Sequence, residues 1–281
     1  MAFIFSGFAD EIDKMIVNQF EHLNKLGIEY FEARGINGTN ISEITDAELA
    51  ELKADMKKYG IKVSSIGSPI GKIGINDDFD AHIRLLERVI YISKELGAKY
   101  IRIFSFYIPE GEEPEKYRDE VMRRMKAMAE VAEREGVILL HENEKDIYGD
   151  TAARCRDVLD TVASDNLRAV FDPANLVQCG EVTYPYAFEL LKPYLQYMHI
   201  KDSTVSGDIV PAGCGEGKIA EILKELKKDG YDGFVSLEPH LGTFSGLENL
   251  ETSDDMMKLE SSTPEKFTLA YESLKKIINN I

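Results

Sequence analysis

Glu135-Gly136-Val137-Ile138-Leu139-Leu140-His141-Glu142 compresses one structural unit into a single short stretch. An amphipathic pattern over Pro114–Arg134 runs into it, a glycine interrupts, an apolar run follows, and a carboxylate closes the run. Glycine just past a helix can take the left-handed backbone conformation that ends the helix without a Cβ clash. The same punctuation recurs at Leu26-Gly27-Ile28, Tyr59-Gly60-Ile61, Leu96-Gly97-Ala98 and Asp229-Gly230-Tyr231. Repetition of helix, glycine and strand is the signature of βα units on a parallel sheet.

Working outward, the apolar runs give strand candidates at Phe3–Ser6, Glu29–Ala33, Lys62–Ile66, Tyr100–Phe104, Ile138–Glu142, Ala169–Asp172, Tyr197–Lys201 and Phe234–Glu238. Between them lie amphipathic stretches at Asp13–Leu26, Asp46–Tyr59, Ala81–Leu96, Pro114–Arg134, Ala152–Val162, Tyr184–Leu191 and Ile219–Lys228, with a last helix at Pro264–Ile278. Eight βα units in 281 residues fit an α/β fold of the (β/α)8 TIM barrel type, which takes about 250 residues. A doubly wound open sheet is the alternative. It usually carries a Gly-rich phosphate fingerprint after the first strand, and Ser6-Gly7-Phe8-Ala9-Asp10-Glu11 is not one. No linker or short-period repeat divides residues 1–281, so one domain is expected. Two connections are long, Ser203–Lys218 and Pro239–Pro264, and both leave strand C-termini, where barrel active sites form.

Bulk charge narrows the partners. At a net −17 the chain is repelled by nucleic-acid backbones and anionic membranes unless it carries a local basic patch. No stretch reaches the roughly 18 apolar residues of a membrane span. The N-terminus has no basic region and turns acidic at Asp10-Glu11, unlike a signal peptide. Cys155, Cys179 and Cys214 are odd in number and widely spaced, as expected of reduced thiols in a cytoplasmic protein.

Glu142, Asp172, His199 and Glu238 each close or nearly close a strand candidate in the second half of the chain. They follow one another at about one βα unit per step, so parallel neighbouring strands bring them to one face. Three converging carboxylates repel unless a cation sits between them. Three oxygen donors and one imidazole suit Mn2+ or Mg2+, and can also take Co2+, Fe2+ or Zn2+. Strand alternation selects Glu144, Lys201 and His240 as companions at the same mouth. Each residue alone has a plainer reading: Asp172 as a helix N-cap, His199 as a structural histidine, Glu142 as a partner of Arg34 or Lys145. Arg34 reads either as a ligand for a sugar oxygen or phosphate, or as the neutraliser of Glu32. Ser68 and Lys72 read as an anion or lid loop or as a surface turn. Phe104 and Phe106 could form an apolar wall for a sugar.

Such a site could hold adjacent carbonyl and hydroxyl oxygens of a sugar. The metal would stabilise an enediolate-like charge as a proton leaves the neighbouring carbon. Glu142 and Glu238, on strands separated by two others, could then take and return the proton on opposite faces, an epimerisation. A single base returning it to the adjacent carbon gives an isomerisation.

Leu140-His141-Glu142-Asn143, Phe171-Asp172-Pro173-Ala174-Asn175, Met198-His199-Ile200-Lys201-Asp202 and Ser236-Leu237-Glu238-Pro239-His240 resemble motifs of the sugar phosphate isomerase/epimerase family. This is the xylose isomerase-like barrel superfamily, which includes D-tagatose 3-epimerase, inosose dehydratase and endonuclease IV. Gly7–Glu11, Ser64–Lys72 and Val210–Gly217 share the resemblance, which covers nearly the whole chain. It implies one divalent metal, commonly Mn2+, held by Glu142, Asp172, His199 and Glu238, with the two glutamates as the acid/base pair. It also implies a small carbohydrate substrate, contacts to it at the positions of Asn175 and Lys201, and a homo-oligomer, since members are often dimers or tetramers. Asn175 stands where the epimerases carry a His, and Lys201 and Asp202 stand near where they carry an Arg. The rivals are a dehydratase or lyase on an inosose, keto-sugar or keto-glycoside, a nucleic-acid enzyme, and a non-catalytic sugar-binding subunit. Five histidines are few for the three-zinc site of an endonuclease IV.

Overall fold

The computed structural model describes residues 3–244, 247 and 260–281. Eight strands form one sheet: β1 (Ile4–Gly7), β2 (Tyr30–Ala33), β3 (Lys62–Ile66), β4 (Tyr100–Ile103), β5 (Ile138–Glu142), β6 (Leu167–Phe171), β7 (Leu195–Ile200) and β8 (Phe234–Leu237). Their hydrogen-bonded order runs β1, β8, β7, β6, β5, β4, β3, β2, every pairing parallel. The two ends of this series are consecutive in the chain, so the sheet curls into a nearly closed barrel.

The α-helices among the described residues are α1 (Ile16–Leu26), α2 (Asp46–Tyr59), α3 (Phe79–Glu95), α4 (Arg118–Glu135), α5 (Ala152–Val162), α6 (Pro173–Gln178), α7 (Phe188–Leu191), α8 (Ile219–Lys228) and α9 (Pro264–Asn280). Three of them, α2, α5 and α8, match the sequence expectation residue for residue. Thr45 explains the sharp start of α2: its hydroxyl accepts the Glu48 N–H while the Glu48 carboxylate accepts the Thr45 N–H at 2.7 Å, a reciprocal cap. Asp13 was expected inside α1, but its carboxylate accepts the Met15 N–H at 2.7 Å and holds a turn instead, so the helix begins at Ile16. The first turn of the expected Pro114–Arg134 helix is a separate 3-10 turn, Pro114–Tyr117. Helix α6 was not foreseen, because two turns starting Pro-Ala-Asn carry too few residues to show a period.

Two bodies of apolar side chains stabilise the barrel. The larger lies between strands and helices, with Phe20, Leu23, Leu86, Val89, Met125 and Leu223 wholly or almost wholly shielded from water. Each such side chain contributes about 1.5–3 kcal/mol relative to exposure. The smaller fills the barrel itself: Leu140, Val170 and Tyr197 pack with Tyr100, Ile138 and Phe234. Strand alternation then decides what lies above this plug. Leu140 shares a face with Glu142, Val170 with Asp172, Tyr197 with His199 and Lys201, so the interior row that is apolar at the bottom is charged at the top.

All five glycines read as helix stops take positive φ, from 71° at Gly60 and Gly97 to 79° at Gly230. Gly71 is a different case. It also has φ +89°, and a Cβ there would sit 2.1 Å from the Phe104 carbonyl oxygen. That close approach lets the loop after β3 hydrogen-bond to the chain after β4: Phe104 N–H donates to Ile70 O at 2.8 Å and Phe106 N–H to Gly71 O at 3.0 Å. Ser68 is part of the same tie, donating to Arg102 O at 2.5 Å. The lid-loop expectation for Ser68 is therefore replaced by a buried, fastened turn. Gly71→Ala is expected to destabilise the protein by about 3 kcal/mol or more, since strain and a backbone clash add. Gly27→Ala, at φ +73° with open space around it, should cost only about 1 kcal/mol. Denaturant unfolding midpoints of the two variants check the contrast.

Candidate metal centre

The top of the interior row brings the four expected side chains together. Glu142, Asp172, His199 and Glu238 are all buried, and each offers a ligand atom within 4.8 Å of the others. His199 Nδ1 is the hub: Glu142 Oε1 lies at 2.9 Å, Glu238 Oε2 at 3.3 Å and Asp172 Oδ2 at 3.9 Å. Glu142 Oε2 and Asp172 Oδ2 are buried without a hydrogen-bond partner. Each faces a cationic side chain, Arg102 at 3.3 Å and Lys201 at 3.2 Å, and buried oxygens so placed fit a site made for positive charge. Among the described residues this is the cluster whose donor set can hold a divalent ion.

Local structure sets each donor. Glu142 is the last residue of β5, and His199 lies inside β7. The expectation that Asp172, Lys201 and Glu238 end their strands is off by one: each stands just past the strand. For Asp172 the plainer reading and the functional one both hold. Its Oδ1 accepts the Asn175 N–H at 2.9 Å and caps α6, while Oδ2 faces the cluster. Asn143 locks this corner: its amide donates to Asp172 O at 2.8 Å and its Oδ1 accepts the Asp172 N–H at 3.0 Å. Asn175 donates to Asn143 O at 3.0 Å and approaches Glu142 Oε1 at 3.4 Å, so it orients a carboxylate.

Cations balance the carboxylates. Lys201 Nζ lies 3.2 Å from Asp172 Oδ2 and 3.4 Å from Glu238 Oε2. Arg102 Nη1 lies 3.3 Å from Glu142 Oε2 and 3.7 Å from Glu238 Oε1. Arg34 is spoken for: it donates to Asp10 at 2.8 and 3.0 Å, to Glu11 at 3.2 Å and to Glu238 at 3.2 Å, sandwiched between the Phe8 and Phe244 rings. These pairs correct one expectation for Arg34: it neutralises Asp10, Glu11 and Glu238 rather than Glu32. Glu32 instead faces His199 Nε2 at 3.3 Å. Glu144 pairs with Lys72 at 3.2 Å, and Lys72 also lies over the Phe104 ring. Phe106 packs on Phe79 in the core. His240 has a left-handed backbone, φ 46°, fixed where its N–H donates to Glu11 Oε2 at 2.7 Å, and its ring reaches Glu238 Oε1 at 3.4 Å.

Burial raises the Asp172 pKa to about 7, against the pull of Lys201. Burial raises Glu238 as well, but Lys201 and His199 outweigh it and hold that carboxyl well below the usual range. For His199 burial disfavours the imidazolium, yet Glu142 and Glu32 win and its pKa lies well above the ordinary value. Side-chain cations thus offset part of the charge that burial penalises in this cluster.

Sequence reasoning passed over Arg102, Asp10, Glu11, Glu32 and Asn143. The signal for Arg102 and Glu32 was present: a charged residue inside an otherwise apolar strand run is rarely there for solvation. The long connection Ser203–Lys218 holds a small hairpin, Asp202–Ser203 with Ile209–Val210. The connection Pro239–Pro264 falls largely outside the described residues. No helix among the described residues is long and apolar enough to cross a membrane. Cys155, Cys179 and Cys214 are free thiols.

The model of a family described as xylose isomerase-like TIM barrel matches residues 20–260. No match was found among the curated proteins. Solved structures are alike in fold. A probable 3-DHS dehydratase from Bacillus anthracis is 19% identical with a TM-score of 0.70, over 83% of this chain and 92% of that one. The 3-keto-D-glucoside 4-epimerase of E. coli is 18% identical with a TM-score of 0.70, over 99% and 100%. The IOLI protein with a bound zinc atom is 18% identical with a TM-score of 0.76, over 98% of each chain. At such identities the likeness carries the fold alone.

One carboxylate organises the loop beside the centre. Asp202 accepts N–H groups from Gly213 at 2.8 Å, Gly215 at 3.0 Å and Gly217 at 2.8 Å. A Cβ on Gly215 would lie 2.4 Å from Asp202 Oδ1, so the glycines are there to let the carboxylate in. Asp202→Ala is expected to lower hydrogen-exchange protection of those three amides by about tenfold or more, each bond to a charged group being worth about 1.5–3 kcal/mol. Protection of the β5 and β6 amides should be unchanged, and a uniform loss across the barrel would refute the local role.

Proposed function

The chain belongs to the xylose isomerase-like TIM barrel family, and from that premise we propose that it is a divalent-metal-dependent enzyme that epimerises or isomerises a small sugar. The observation that carries the reading is the pair of buried glutamates, Glu142 and Glu238, converging on His199 Nδ1 from different strands. Mn2+ is the ion proposed, with Mg2+, Co2+, Fe2+ and Zn2+ as alternatives compatible with three oxygens and one imidazole. Asp172 and His199 would hold it, together with the two glutamates. Bound there, the ion supplies Lewis-acid stabilisation of the charge that develops on the substrate oxygens when a proton leaves.

The remaining work belongs to side chains. A base must be ionised, and the cations around Glu238 keep it so. Among the described residues Glu142 Oε2 meets Arg102 Nη1 at 3.3 Å and no other partner, and it is the oxygen assigned to the second proton transfer. With one glutamate on each side of a bound keto-sugar, a proton removed from one face returns on the other, which inverts the carbon between them. The mouth is dry, since Asp172, His199 and Glu238 are at most 2% exposed. Water is thereby kept from capturing the enediolate-like intermediate. Asn175, Lys201, Glu144 and His240 border this space. Lys201 gives specific support to a second reading, a dehydratase or lyase. Its ammonium stands 3.4 Å from the base Glu238, beside the place where a proton donor to a departing oxygen is needed in that reading.

Turnover of ketoses, inososes and keto-glycosides with Mn2+ in D2O tests the proposal. Deuterium should enter at the carbon beside the carbonyl, and Glu142→Gln and Glu238→Gln should each lower turnover by about 10²–10⁴-fold. Full activity in either variant would remove that residue from the proton transfer. Loss of water or aglycone would select the second reading.

Metal binding should also release protons. Asp172 at about 7 and the raised His199 are both protonated on the acid side, and an ion must displace those protons. Apparent affinity is therefore expected to weaken as pH falls through about 7, by about tenfold per unit for each competing proton. Calorimetry in buffers of different ionisation enthalpy reads the proton count directly.

A further inference from the structure

Glu32 takes no part in the scheme above, yet it is wholly buried in the barrel at 1% exposure, with Oε2 3.3 Å from His199 Nε2. We propose that Glu32 is a positioning residue: with an ion in the centre it holds the proton of His199 on Nε2, leaves Nδ1 to ligate beside Glu142, Asp172 and Glu238, and so sets the affinity of the centre for that ion. The inference rests on the metal-site reading above and adds a residue to it.

The geometry distinguishes the two ring nitrogens. Nδ1 faces three carboxylates, while Nε2 faces one, on the opposite edge of the ring. A nitrogen that ligates a cation must offer its lone pair, so in the neutral ring the proton belongs on the other nitrogen. With the proton on Nδ1, the Nε2 lone pair would point at a carboxylate oxygen in a space without water, a repulsive and unsatisfied arrangement. With a cation held on the Nδ1 side, Glu32 therefore selects the tautomer.

Its own placement is built in. Ser236 Oγ donates to the same Oε2 at 2.8 Å, and Ser236 is the residue paired with His199 across β8 and β7. The β2–β3 register shifts between Phe31 and Glu32, so Glu32 pairs with Ser65 and Ser64 is the extra residue. Such an irregularity re-aims side chains, and here Ser64 reaches the interior, 2.5 Å from Ser6 Oγ and 2.9 Å from the Tyr197 hydroxyl. Those hydroxyls form a closed polar layer beneath the histidine. The ring itself is held edge-on by Phe8 and Tyr197, with centroids 5.4 and 5.8 Å away. Orientation and tautomer are thus fixed by different neighbours.

The test uses the full chain, Zn2+ as a diamagnetic probe, and two readouts: Kd by calorimetry and 15N–1H correlation of the His199 ring. In the wild type the proton should appear on Nε2 in the loaded protein. Glu32→Gln should weaken Zn2+ binding by about 10–100-fold and move the Nε2–H proton resonance upfield, as a neutral acceptor replaces an ionised one. Ser236→Ala is the second variant, should the first not fold; it keeps the carboxylate, removes its other donor, and should weaken binding by a few-fold with a smaller shift in the same direction. A folded Glu32→Gln with Kd within twofold of wild type and an unmoved resonance overturns the proposal. So does a Ser236→Ala protein indistinguishable from wild type in both readouts. A purely structural Glu32 would lower thermal stability while leaving both readouts in place. If the wild type itself binds no Zn2+, the metal-site reading fails first, a separate outcome.

Discussion

Mutual repulsion of carboxylates in a dry space governs this molecule. Glu142, Asp172 and Glu238 meet at the top of a barrel whose interior admits almost no water, and each is at most 2% exposed. At low effective dielectric, unit charges a few ångströms apart cost several kcal/mol unless opposed. Every neighbouring feature answers that cost. Lys201 bridges two of the three, Arg102 leans on two, and Arg34 ties Glu238 to Asp10 and Glu11. The arrangement is an acidic centre inside a basic collar, with a second acidic layer outside it.

The barrel supplies what this collar requires, which is many independent points of attachment converging on one small volume. Parallel strands deliver one inward residue per layer, and the layer below is an apolar plug built on Leu140, Val170 and Tyr197. The plug stops the charged layer from relaxing downward. The fastened loop at Ser68–Gly71 and the loop gathered on Asp202 limit relaxation sideways. Rigidity here is a condition for holding like charges together.

Much of this was legible in the sequence, for identifiable reasons. Helix stops are single-residue signals, so Gly27, Gly60, Gly97, Gly136 and Gly230 announced the βα repeat. The four cluster residues were legible because each follows an apolar run at a strand's top end, and the step between them matches the βα unit. The partner of Arg34 was misassigned, since sequence shows that a cation is present but not which anions surround it. Glu32 and Arg102 were passed over because a search of strand ends does not look inside strands. The short helix α6 was hidden because two turns are too few to show a period, even with Asp172 read as a cap, and Asn143 because its role is a long-range exchange of hydrogen bonds with a residue 29 positions away.

Asp172 has one further consequence. Its two carboxylate oxygens are separated by a fixed, planar geometry, and they serve different masters: Oδ1 starts a helix and Oδ2 looks into the centre. Turning the group to suit one occupant would pull the amide of Asn175 with it, and Asn175 in turn touches Glu142. The first turn of α6 and the mouth of the barrel therefore share a single mechanical degree of freedom. Over evolutionary change, the segment from Asp172 to Gln178 should be inherited as one block.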